Sequence, residues 1–484
     1  MKRLLIPVIL IALSLTKAQE NTMTTSLYEN YGSYKEESFQ KRRFKHADMV
    51  PLIEKLKKDK KYSVEKAGKS IEGRDIYMIK IGTGKTKVLL WSQMHGDEST
   101  ATMALFDIFN FLNSKGEFDS WRNKILNDLT LYIIPMLNPD GAERFQRRNA
   151  LEVDLNRDAA ALQCPESRIL KAAVDTLKPE FGFNLHDQGR NYAAGLTPKW
   201  AALSFLAPAF NYEKDVNDVR LRAMKVIAAM NEKVSLFAEG HIGRYSDDFE
   251  PRAFGDNVQK WGTSAILIES GWWKDDPEKQ QIRKLNFIAI LSALYNIADG
   301  SYASRSQAEY ETIPFNEKVM ADVIIRNISL SINGTAIKSD IAISGDEITD
   351  DKNFYTKNAI IDSGDLSGMF GFEERDFTGL KAEPGKIYPE TLSSPAKLNE
   401  LDPGRLLAEG YLFARVDSLD SLSERGDYPL NIVSKDFKSA EIKNGGGANF
   451  ILKQDGKIKY AVVNGFIYEI GSDVGAIKNT LIYR

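Results

Sequence analysis

Two uninterrupted apolar stretches, VLLWSQM at 88–94 and TLYIIPML at 130–137, mark the first half of the chain. Runs without polar alternation are expected of strands buried on both faces. Between them, ESTATMALFDIFNFLNS spaces Met103, Phe106, Phe109, Phe111 and Leu112 as a helix packed on one face does. EFGFNL at 180–185 and SAILIES at 264–270 read as two further buried strands. Strands alternating with helices over residues 35–303 predict an α/β domain with a mostly parallel sheet. Ligand sites of such sheets gather at the carboxyl ends of the strands.

After about residue 304 the pattern changes to short β-branched runs broken by turn dipeptides: Asn333-Gly334, Asp455-Gly456 and Asn464-Gly465. These are hairpin signals, and they predict a smaller β-rich domain over 310–484. Within it the proline-bearing stretch 384–404 reads as a long loop. Gly445-Gly446-Gly447 lacks the strand-then-helix setting of a phosphate-binding loop.

Composition narrows the classes. The 484 residues carry 64 Lys+Arg against 67 Asp+Glu, a net charge of -3, so no basic excess points to nucleic acid. With 43% hydrophobic and 27% charged residues the chain can build a core and is not globally disordered. The single cysteine, Cys164, excludes an intrachain disulfide and any cysteine-built metal cluster. At the start, Lys2 and Arg3 precede an apolar run at 4–15 that is short for a membrane span and ends in Thr16-Lys17-Ala18-Gln19. This predicts a signal peptide over 1–18, an exported protein (periplasmic or extracellular) and no stable membrane span after its removal.

The chain has four histidines, His46, His95, His186 and His241, so a histidine-built metal site draws on these. His95-Gly96-Asp97-Glu98 directly follows the strand at 88–94, where a three-residue spacing brings an imidazole and a carboxylate to one side of a turn. Zinc accepts both, and a catalytic zinc takes three protein ligands and leaves a position open. His186, closing the strand at 180–185, is the candidate third. Arg147, Asn156 and Arg157 lie on loops near the same edge, where guanidinium forks suit carboxylates and developing oxyanions. Glu269 ends a buried strand, where desolvation raises a carboxyl's proton affinity and suits it to general-base work. Taken singly, each of these also fits an ordinary ion pair. His241 reads as a loop histidine and His46 as a surface one.

Taken together and in order, GKSIEGRDIYMIKIG, HGDE, NPDG, RRNALEVDLNRD, NLHDQ and LIES resemble the M14 family of zinc carboxypeptidases over roughly residues 40–300. The resemblance implies an α/β/α sandwich around a mixed, mostly parallel sheet. It implies one zinc ion on His95, Glu98 and His186, with Glu269 as general base and acid. Arg147 would polarise the scissile carbonyl, Asn156 and Arg157 would hold the substrate's terminal carboxylate, and Tyr245 is the candidate for the family's mobile tyrosine. The implied substrate is a peptide or muropeptide with a free C-terminal carboxylate. Asp158 departs from the commoner DLNRN ending. Asp247, Asp248, Glu250 and Asp256 would give an acidic pocket that favours basic side chains. Cell-wall peptide trimming, deacylation of small acylated amino acids and an inactive binding protein are the competing readings. The last predicts loss of a ligand or of the base, and all four residues are present.

Overall fold

The computed structural model describes residues 20–332, 334–419, 425–426, 428–438, 441–472, 477 and 479–483; the expected signal peptide lies outside them. The chain divides at Lys318/Val319 into two units.

In the first unit, eight strands form one mixed sheet: β1 (Ser63–Lys69), β2 (Asp75–Ile81), β3 (Thr86–Ser92), β4 (Leu129–Ile134), β5 (Phe181–Asp187), β7 (Leu203–Leu206), β8 (Ile242–Arg244) and β9 (Ser264–Ser270). Their order is β1-β2-β4-β3-β5-β9-β7-β8. The central strands β4, β3, β5 and β9 run parallel, while β2 and β7 join antiparallel on either side. The apolar run of β3 is explained by its two faces. Val88 and Leu90 enter one core with the helices Thr100–Asn113 and Gln280–Asp299, whereas Leu89 and Trp91 enter a second with the helix Pro165–Leu177. Successive side chains of a strand alternate between faces, so a strand covered by helices on both sides needs no polar position. The result is an α/β/α sandwich.

The unit also takes in residues on both sides of the 35–303 stretch. Asp107, inside the helix Thr100–Asn113, accepts hydrogen bonds from the Tyr31 hydroxyl and the Arg283 guanidinium, and Arg283 also donates to the Glu36 and Phe39 carbonyls. Both charges are fully buried. At the other end, the short β10 (Asn316–Glu317) pairs with β6 (Ala193–Ala194), so the chain leaves the unit as an added strand. No helix among the described residues is long and apolar enough to cross a membrane.

The second unit holds long antiparallel strands, Met320–Ile332, Thr335–Asp350 and Asn353–Gly364, in one sheet with later hairpins. Asp455-Gly456 and Asn464-Gly465 form the expected tight turns, with φ of 49°, 76°, 46° and 81°. Positive φ at both central positions matches the twist of the flanking strands. The reading of 384–404 as a loop is corrected. It contains the strand Lys386–Leu392, a 3-10 turn at Pro395–Glu400 and the start of the helix Pro403–Ala408. Pro395 and Pro403 sit at helix first-turn positions, Pro384 is the last residue of the strand Lys381–Pro384, and Pro389 lies in a stretch of irregular register where a missing N–H is tolerated. The strand pairs in parallel with Tyr411–Val416 across that helix, making a small crossover unit that hairpin signals do not announce.

Candidate active site

The parallel strands deliver their carboxyl ends to one edge. After β3 the backbone turns sharply at Gln93, which has φ 49°, and the Gln93 amide holds the Gly96 carbonyl at 2.9 Å. Gly96 packs against Gly141: a Cβ at Gly96 would lie 2.0 Å from the Gly141 carbonyl carbon, so only glycine fits. HGDE and NPDG are thus one packed junction. Asn138 caps the helix Pro139–Arg144 by accepting from the Gly141 N–H at 2.9 Å, with proline in the first turn. Asp140 accepts from Ser70 Oγ at 2.7 Å and the Glu72 N–H at 2.9 Å, tying the β1–β2 hairpin turn to the site.

At this edge His95, Glu98 and His186 converge, all buried, with ligand atoms within 4.8 Å of one another. Glu98 Oε1 lies 2.8 Å from His95 Nδ1, and Glu98 Oε2 lies 2.6 Å from His186 Nδ1. Behind His95, Asp154 Oδ1 lies 3.1 Å from Nε2. With Asp154 ionised, that contact places a proton on Nε2 and turns the Nδ1 lone pair toward the Glu98 carboxylate. Two acceptors facing each other need a proton or a cation between them. Part of that charge comes from Arg147, whose Nη1 lies 3.1 Å from His95 Nδ1 and 3.3 Å from Glu98 Oε1. Two imidazoles and a carboxylate, one imidazole backed by a carboxylate, match the donor set and outer support of a zinc site. The fit is therefore good. Burial alone would raise Glu98, but the two imidazoles hold it well below the usual carboxylate range. Burial would lower His95, yet Glu98 and Asp154 raise it to about 9.

Glu269 is the register partner of His186 on the adjacent strand β9. Burial first, and the Glu98 carboxylate second, push its carboxyl up to about 8. Tyr245 follows β8; burial and the nearby Glu269 carboxylate raise its phenol, and its hydroxyl lies 3.4 Å from that of Tyr192. Tyr192 was not singled out in the sequence, where nothing marks it.

Arg147, half-exposed, also donates to Asp154 from Nε at 3.1 Å. Asn156 sits on a single 3-10 turn (Leu155–Arg157) capped by Asp154; its Oδ1 accepts the Phe254 N–H at 2.8 Å. Arg157 pairs with Glu250 at 3.3 Å and remains accessible. Asp154 is the residue that sequence reasoning missed. Its signal was its place in VDLNRD, where one carboxylate serves His95, Arg147 and the Asn156 N–H. The acids between 245 and 257 do not form a free acidic floor. Asp247 binds Arg220 and Lys214, Asp248 binds Lys214, and Glu250 binds Arg252 and Arg157. Asp256 is buried, and its desolvation, with Glu250 adding, pushes its carboxyl up to about 7. His241 lies outside the cluster, its Nδ1 2.8 Å from the Trp200 carbonyl oxygen. His46 is half-buried rather than superficial, with Nε2 2.9 Å from the Asp75 carbonyl oxygen.

The sandwich thus carries, at the carboxyl ends of its parallel strands, a buried histidine–glutamate–histidine cluster that could hold a metal ion. Comparison with known proteins carries this one step further. Residues 49–198 match the family model for zinc carboxypeptidase, Peptidase_M14. It is 27% identical over 135 residues to probable carboxypeptidase 2 of Arthroderma benhamiae, covering 28% of this chain and 24% of that one. It is 28% identical over 107 residues to mouse carboxypeptidase M, covering 19% and 24%. The chain thus spans about a quarter of the length of these relatives. Among solved structures, a metallo-carboxypeptidase from Burkholderia cenocepacia superposes with a TM-score of 0.43 at 16% identity, over 54% of this chain and 70% of that one.

Proposed function

We propose that the first unit is a zinc carboxypeptidase that removes the C-terminal residue of peptides, and that the apolar leader at 4–15 directs its export. The observation that carries the reading is the convergence of three buried ligand side chains with a half-buried carboxyl, Glu269, on the neighbouring strand. His95, Glu98 and His186 would hold the ion. When bound, zinc supplies a Lewis acid that polarises the scissile carbonyl and acidifies a water beside it. Glu269, whose affinity for protons is raised by burial, takes the proton of the attacking water and returns it to the leaving amine. The Arg147 guanidinium, anchored by Asp154, stabilises the developing oxyanion. Arg157, with Asn156 beside it, receives the substrate's carboxylate in a fork geometry.

The test is mass-spectrometric. The zinc-loaded protein is incubated with a mixed peptide library and with muropeptides, beside an E269Q control. Loss of single C-terminal residues from ordinary peptides, absent in the control, supports the reading. Cleavage of muropeptides alone moves the protein to cell-wall metabolism. Zinc binding without cleavage of either overturns it.

A further inference from the structure

We propose that Asp187, clamped by Lys279 and Thr100, is a positioning residue that locks the three segments bearing His186, Glu98 and Glu269 into one geometry. This rests on the metallopeptidase reading of the site. Asp187 follows His186 on β5, and its register partner on β9 is Ser270, which follows Glu269. The rung His186↔Glu269 is therefore backed by the rung Asp187↔Ser270. One oxygen, Asp187 Oδ2, collects two donors from other segments. Thr100 Oγ1 donates at 2.5 Å from the start of the helix that begins two residues after Glu98. Lys279 Nζ donates at 3.0 Å and also holds the Ser270 carbonyl at 3.1 Å. A single ammonium therefore bridges the side chain after His186 and the backbone after Glu269.

The local structure counts against Lys279 unless this bridge matters. Its side chain is only 5% exposed, and a buried lysine is stable only when paired. It sits at the N-cap of the helix Gln280–Asp299, where a positive charge opposes the helix dipole, and its φ of 52° is left-handed. Three unfavourable features at one residue point to strain held at a functional position. Ligand-orienting groups just outside a metal's direct ligands change metal affinity by about 10- to 100-fold when removed.

The test uses the full-length chain. Zinc affinity is measured by chelator competition on folded protein, and kcat and KM are measured separately on a peptide substrate, for D187N, K279M and the milder T100V. D187N and K279M are expected to bind zinc about 10- to 100-fold more weakly and to lose kcat with KM little changed. T100V should move both in the same direction by less. A merely structural role would lower the melting temperature while the folded variants keep wild-type zinc affinity and kcat, and that result overturns the proposal. If D187N does not fold, wild-type zinc affinity and kcat in T100V overturn it equally. Failure of the wild-type protein to bind zinc would instead remove the metallopeptidase reading itself.

Discussion

His186 and Glu269 occupy paired positions on adjacent parallel strands, so a proposed ligand and the proposed base leave the same end of the sheet together. Their separation is set by backbone pairing rather than by loop conformation. Replacing Glu269 with glutamine keeps the shape and removes the proton acceptor. E269Q is expected to bind zinc about as well as the wild type while kcat falls by about 10²- to 10⁴-fold. Equilibrium dialysis followed by steady-state kinetics reads both quantities. Unchanged turnover would remove Glu269 from the mechanism.

Asp154 supports the site from behind. It orients His95 through Nε2 and anchors Arg147 through its other oxygen. Burial would raise its carboxyl, but His95 and Arg147 hold it well below the usual range, so it stays ionised. D154A leaves the imidazole free to turn and the guanidinium without its anchor. Zinc affinity should drop about 10- to 100-fold, and kcat should fall further because Arg147 is displaced as well. Wild-type zinc affinity in a folded D154A protein would show that His95 is oriented by something else.

Arg157 tests the exopeptidase reading. It is accessible and tethered by Glu250 and by the Asn156 carbonyl at 2.7 Å. A charged hydrogen bond to a substrate carboxylate contributes about 1.5–3 kcal/mol. R157A should therefore raise KM for free-acid peptides by about 10-fold or more and leave kcat within a few-fold. Peptides amidated at the C-terminus should be poor substrates of both proteins. Equal cleavage of amidated and free-acid peptides by the wild type would sink the carboxylate-clamp role.

Much of this arrangement was legible in the sequence, for physical reasons. The double-faced apolar runs of β3, β5 and β9 announced strands covered on both sides, and the residues just beyond them were the natural site candidates. What escaped notice depends on distance in space. Asp154 and Asp187 look like ordinary polar residues until folding brings His95 to one and Lys279 to the other. The acids at 247–250 suggested a negative pocket because their partners Arg220, Lys214 and Arg157 lie up to 93 residues away in the chain. The parallel crossover in the second unit was hidden because its short helix, Pro403–Ala408, sits among prolines that locally signal a loop.

Asp256 gives the protein a pH-dependent weakness. It is 8% exposed on the helix Phe254–Lys260, and its Oδ1 accepts the Glu250 N–H at 3.0 Å. Desolvation raises its carboxyl from 3.8 to about 7 in the folded chain. Between about pH 4 and 7 the folded state holds a proton that the unfolded state has released. The unfolded state then binds fewer protons, so stability falls as pH rises through this window, by up to about 1.4 kcal/mol per pH unit, and levels off above it. Asparagine preserves the acceptor and cannot ionise. In urea denaturation, D256N should gain stability relative to the wild type progressively from pH 4 to pH 7 and hold that gain at pH 8. A stability difference that does not change with pH would mean that Asp256 is ionised throughout, its charge balanced by Arg157.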